Sequence, residues 1–108
     1  MREKNSNSLG LSDQYHELVL NGEKTSTVRL GHVVFADSNL MLTFENKPNI
    51  QVEIQEVIHD KNLKDLTEKD AQKDGFESLS KLKTALSTFY PDITEDSKVT
   101  VVCFELVI

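Results

Sequence analysis

The chain has 108 residues, 38% of them hydrophobic, one cysteine and a formal net charge of −6. That length supports one domain with a modest core and short loops, and leaves no room for a second. The acidic balance repels a long polyanion, because counterion release rewards only a surface that neutralises many phosphates together, so a long nucleic-acid duplex is excluded as partner.

Residues 1–8 are polar and read as a tail ahead of a single domain over 9–108. No apolar run follows the charges of "MREKNSNSLG" and no window has the apolar length of a bilayer span, so the expected location is the cytoplasm, with no membrane partner. Leu11, Tyr15, Leu18 and Val19 then recur at helical spacing, with Ser12 or Asp13 to cap the start and Asn21-Gly22 as a left-handed stop. Immediately afterwards Ser26, Val28 and Leu30 alternate with Thr25, Thr27 and Arg29, the period of a strand with one face buried. Val28 and Leu30 are expected to anchor that strand, leaving Thr27 and Arg29 on its other face. Lys24 sits at the helix-to-strand junction, where alternation does not fix its direction.

Further strands are expected at "HVVFA", "LMLTFE" and "IQVEIQEVI", the last with Ile50, Val52 and Ile54 inward, joined by turns at Asp37-Ser38-Asn39 and Asn46-Lys47-Pro48-Asn49 into an antiparallel meander. Thr67 and Asp70 have the spacing of a capping box, and Gly75 ends the short helix they open. Ser78 caps a second helix with an apolar stripe of Leu79, Leu82, Leu86 and Phe89, stopped by Pro91. The run from Val99 to Ile108 is apolar on both parities and reads as a strand buried on both faces. It holds Cys103, the only cysteine, which excludes an internal disulfide and reads as a buried thiol. The predicted class is α+β, a small mixed or antiparallel β-barrel that closes on its own edges, with two or three flanking helices.

The segments "GEKTSTVRLG", "LKDLTEKDAQKDGFESLSKLKTALSTFYP" and "VTVVCFEL", in that order, resemble the ASCH (activating signal cointegrator homology) domain family over roughly residues 11–107. The resemblance implies a PUA-like β-barrel whose cleft is lined by the Lys-Thr-x-Thr-x-Arg segment and takes RNA- or nucleoside-type ligands. Among enzymatic members, the chain is similar to bacterial N(4)-acetylcytidine amidohydrolases, in which the lysine accepts a proton, the second threonine is the nucleophile and a glutamate of the later helix donates a proton. Carried over by motif, these roles fall on Lys24, Thr27 and Asp74, with Thr25, Arg29 and Tyr90 as ligand contacts. Asp74 departs from that pattern: an aspartate is shorter than a glutamate by about 1.5 Å, and misplacement of that order costs about 100-fold in rate. Lengthening it to glutamate is therefore expected to raise turnover.

The chemistry has its own requirements. A threonine hydroxyl attacks only when a base takes its proton, and a lysine serves as that base only if burial or a cationic neighbour such as Arg29 lowers its pKa. The acid that protonates the leaving amine needs a raised pKa, which a helix C-terminus favours for Asp74. The plainer reading of the same residues is a solvated lysine after a helix cap, two strand-forming threonines and an arginine paired with one of eighteen acidic side chains. Tyr90 either fills the barrel end or stacks on a base. His16, His32 and His59 lie on separate elements without ligand spacing, so neither a metal nor another cofactor is expected. Lys24, Arg29, His32, His59, Lys61 and Lys64 form an RNA-binding patch only if the fold gathers them. An amidohydrolase acting on a nucleoside and a non-catalytic RNA-binding module thus stand as the two readings, with a ribonuclease third. The partner in each is a nucleoside or short RNA element.

Overall fold

The computed structural model describes residues 7–107; Ile108 and residues 1–6 of the expected tail lie outside the described residues. The chain is α+β, with one five-stranded sheet in the order β1-β3-β4-β5-β2. Strand β1 (Ser8–Gly10) begins inside the stretch read as tail. It pairs parallel to β3 (Asn39–Thr43), whereas every other pairing is antiparallel. Asn7 explains why this short edge strand holds. Its amide donates to Asp37 O at 2.6 Å and Asn39 O at 2.9 Å and accepts from Ala36 N at 2.8 Å, stitching β1 to the turn before β3.

The first helix is shorter than the apolar spacing predicts: a 3₁₀ turn over Asp13–Tyr15 leads into α1 (His16–Leu20). Ser12 makes no capping bond. The Asp13 carboxylate instead accepts from Asn46 N at 3.2 Å, a long-range bond that pulls the helix start toward the β3–β4 turn. Gly22 takes φ +84°, a conformation in which a Cβ is disfavoured, and turns the chain into β2 (Ser26–Leu30). Of the two residues expected to anchor this strand, Val28 is buried, but Leu30 is 38% exposed.

No strand forms over residues 32–36. Gly31 at φ +88° turns the chain away, and side chains satisfy its backbone instead. The Thr100 hydroxyl accepts from Val33 N at 3.0 Å and donates to Gly31 O at 2.6 Å, and His59 Nε2 lies 2.7 Å from Val33 O. The β-branched composition of "HVVFA" therefore had no neighbouring strand edge to join.

Strand β4 (Ile50–Asn62) runs longer than expected, bending at register shifts between Ile54 and Glu56 and between Ile58 and Lys61. Strand β5 (Lys98–Leu106) lies between β4 and β2, so both its edges are paired, and each of its faces packs on a different cluster, as its two-parity apolar pattern predicts. Val99 and Val101 pack in a cluster with Leu82 and Leu86 of α3 (Leu79–Phe89) and Ala71 of α2 (Glu68–Lys73). Val102 and Phe104 face the opposite cluster with Leu40, Leu42, Ile50 and Val52. The Thr67–Asp70 capping box forms in both directions, and the Ser78 hydroxyl accepts from Lys81 N, as the sequence spacing indicates. Among the described residues no helix is long and apolar enough to cross a membrane.

The two ends of the sheet, β1 and β2, meet through a side chain: Arg29 Nη2 donates to Gly10 O at 2.5 Å. The phase of β2 is fixed by Phe104 N donating to Thr25 O and Gly31 N donating to Lys98 O. Odd-numbered residues of β2 therefore bond β5, and the N–H and C=O groups of Ser26 and Val28 point to the open edge.

Candidate functional site

That open edge lines a cavity of about 150 Å³. Its lining comes from the segment from Gly10 to Tyr15, from Lys24 and Thr27, Val28 and Arg29 of β2, from Asp74 and Phe76 after α2, and from α3 with Tyr90. The sequence brings these groups together by local means. Leu18 O at the end of α1 accepts from both Glu23 N and Lys24 N at 3.0 Å, which turns Lys24 inward. Thr25 N donates to Lys73 O at 2.7 Å, locking the start of β2 to the end of α2, where Asp74 is the C-cap.

Lys24 is 2% exposed and Asp74 3% exposed. The Lys24 ammonium donates to the Asp74 side chain, to Asp74 O at 3.1 Å and to Ser26 O at 3.0 Å, so all three of its protons have acceptors. It also lies 5.0 Å from the Tyr15 ring centroid, within cation–π range. Phe76 meets Tyr15 edge to face at 5.9 Å and backs that ring.

Burial pushes both charged groups toward neutrality. Loss of solvent raises the Asp74 pKa from 3.8 to about 6, against the pull of Lys24, of Arg29 and of the Val28 backbone N–H. Loss of solvent likewise lowers the Lys24 pKa; Asp74 opposes that shift and Arg29 adds to it. Burial also raises the Tyr15 phenol, with Asp74 contributing in the same direction. The cause of the raised Asp74 pKa is therefore desolvation.

Thr27 is 4% exposed, and among the described residues its hydroxyl has no protein hydrogen-bond partner. Lys24, Thr27, Asp74, Arg29 and Tyr90 all line the one cavity. Thr25 does not. It lines a separate surface pocket with Val19 and Phe104, and its hydroxyl donates to Lys73 O at 3.5 Å, so the structure places it outside the cavity that the other five share. Tyr90 packs on the helix-side core and also lines the cavity. Tyr15, Phe76 and Phe89 complete the aromatic lining, and sequence reasoning treated none of the three as a site residue. Tyr15 was legible only as a core position of a helix, and its role depends on a contact with the next element.

The remaining positive groups do not gather. Lys61 pairs with Asp70 at 3.1 Å and Lys64 with Asp96 at 2.8 Å. His32 stacks on His59 at 4.0 Å between centroids, and neither lines the cavity.

Gly75 completes the site. It has φ +90°, and a Cβ there would stand 3.3 Å from Lys24 Cβ and 3.4 Å from Leu18 Cδ1. Gly75→Ala is expected to lower stability by about 1–2 kcal/mol from the left-handed backbone alone, more if Lys24 is displaced, as measured by urea denaturation.

The ASCH domain family model matches residues 4–108. No curated protein matches the chain. Among solved structures, the chain is similar to an ASCH domain from Lactobacillus crispatus JV V101, with 20% identity and TM-score 0.73, over 93% of this chain and 79% of that one. It is similar to the hypothetical protein PH0355, with 19% identity and TM-score 0.69, over 93% and 97% of the two chains. Protein EF3133 from Enterococcus faecalis V583 matches at 17% identity and TM-score 0.65, over 87% of this chain and 70% of that one. At these identities the likeness bears on the fold, which is the PUA-like α+β architecture.

Proposed function

The chain belongs to the ASCH domain family, and from that membership we propose that it is an amidohydrolase of the N(4)-acetylcytidine type, with Thr27 as nucleophile, Lys24 as base and Asp74 as acid. The observation that supports this reading is that the buried Lys24–Asp74 pair and Thr27, whose hydroxyl has no partner among the described residues, line one cavity of single-ring size. A void of about 150 Å³ holds benzene in an engineered apolar core, so this one has room for a base and its acyl group only in part, with the sugar at the mouth.

The chemistry follows from the pair. The ammonium form of Lys24 has no lone pair for Thr27, since its three protons are all donated. Transfer of one proton to Asp74 leaves a neutral amine beside Thr27 and a protonated acid beside the leaving group, and burial lowers the cost of that transfer at both ends. Thr27 Oγ1 then attacks the acetyl carbonyl as its proton moves to Lys24 Nζ, and Asp74 protonates the departing exocyclic amine. Water hydrolyses the threonine ester to release acetate and restore the hydroxyl.

The test is incubation with N(4)-acetylcytidine, following cytidine and acetate chromatographically. Equal release of both is expected, and no release under saturating substrate would overturn the reading. The pair must carry one proton to act, so kcat/KM is expected to fall on the acid side with a limb near pH 6, where Asp74 gains a proton while Lys24 keeps its own. The competing reading, a non-catalytic RNA-binding module, draws on the saturated ammonium, which resembles a structural ion pair. Under that reading Arg29→Ala weakens RNA binding and no turnover appears. Lys81→Ala and Lys83→Ala, on α3 and paired with Glu77 and Glu95, serve as controls for diffuse charge.

A further inference from the structure

We propose that the Val28 carbonyl, on the open edge of β2, is the acceptor that fixes the ligand, so that the cavity selects a planar amide or heterocycle carrying an N–H donor by extending the sheet edge. This inference rests on the reading of the cavity as a ligand site and names how that site discriminates.

Three groups lie on the unpaired edge of β2, and of the residues that carry them Val28 lines the cavity. The Ser26 carbonyl accepts from Lys24 Nζ, and the Val28 N–H faces the Asp74 carboxylate. The Val28 carbonyl, on the same edge, has no donor among the described residues, because the phase set by Thr25 and Gly31 turns it away from β5. Yet Val28 is only 4% exposed. A buried backbone acceptor without a partner is rare, and one lining a ring-sized cavity beside a reactive cluster is a ligand contact by position. The edge cannot be covered by another strand, since Arg29 spans the gap to Gly10 with its side chain instead. A ligand N–H is the group that completes it, in the manner of strand addition reduced to one bond. A tertiary amide or an N-alkylated ring leaves the carbonyl unpaired and is rejected.

The experiment titrates the Thr27→Ala variant, which prevents turnover, with N(4)-acetylcytidine and with its N(4)-methyl derivative, reading the Val28 carbonyl carbon and the cavity side chains by NMR. The expected result is a shift of the Val28 carbonyl resonance on binding the N–H ligand, with affinity about tenfold above that of the methylated one. Methylation that acted only through bulk would weaken binding without any Val28 carbonyl shift in the unmethylated complex, and that outcome overturns the inference. Equal affinity for both ligands, with Tyr15 and Tyr90 resonances moving and Val28 unmoved, also overturns it while leaving the cavity as the binding site. No perturbation of any cavity resonance by either ligand overturns the proposed function, and this inference with it.

Discussion

Lys24→Met is expected to destabilise the fold by about 3–5 kcal/mol at pH 8, because it leaves the Asp74 carboxylate buried without its cation. The loss should shrink toward pH 5, where Asp74 takes a proton and ceases to be a buried charge. The parent protein carries a milder version of the same effect. Its folded-state pKa for Asp74 is about 6 against 3.8 in a free side chain. A carboxyl with a raised folded pKa favours folding while protonated, fully below about pH 4, and that contribution is lost as pH rises through about 6. At about 1.4 kcal/mol per tenfold change in proton affinity, the full swing is about 3 kcal/mol, of which about half falls between pH 5 and pH 8, and Asp74→Asn should remove the slope. Urea denaturation from pH 5 to pH 8 reads both effects. An equal loss for Lys24→Met at both ends would mean that lost packing against Tyr15, and no unpaired charge, causes the damage. The double variant Lys24→Met with Asp74→Leu should recover most of the stability, since a buried ion pair replaced whole is often neutral or better.

The elements with local causes were legible in the sequence. Thr67 with Asp70 and Ser78 with Lys81 close helix starts within three residues, so spacing alone shows them. The apolar run of β5 exposes its two-sided burial because each parity answers to a different cluster. What failed depended on partners far along the chain. "HVVFA" has strand composition, but the Thr100 hydroxyl, over sixty residues away, takes the bonds a neighbouring strand would supply. Strand β1 (Ser8–Gly10) is not expected from the sequence, and its first residue reads as tail, because a three-residue strand carries no period; it is held by Asn7 reaching the turn near Asp37. At the site, Lys24, Thr27, Asp74, Arg29 and Tyr90 came from motif resemblance, and the cavity they share depends on the α1–β2 and α2–β2 junctions. Thr25 shared the motif but lies outside that cavity, where its N–H and hydroxyl both donate to Lys73 O.

Thr27→Ala is expected to lower turnover of N(4)-acetylcytidine by on the order of 10³-fold or more with little change in binding, because the attacking oxygen is gone while the cavity keeps its shape. Thr27→Ser should retain a measurable fraction, since a hydroxyl remains at the same position. At Asp74 the structure reverses the expectation drawn from side-chain length. The aspartate already contacts the Lys24 ammonium, so that contact needs no longer acid. An added methylene in this fully buried place overpacks it at a cost of about 1–3 kcal/mol, and Asp74→Glu should lower both stability and kcat. Asp74→Asn leaves the buried Lys24 ammonium without its counter-charge, so it should destabilise the fold while Lys24 stays charged, and lose the proton donor and the acid limb near pH 6. A gain of turnover in Asp74→Glu would show that the acid works at a distance from Lys24, and that the contact between them is a resting arrangement the reaction must break.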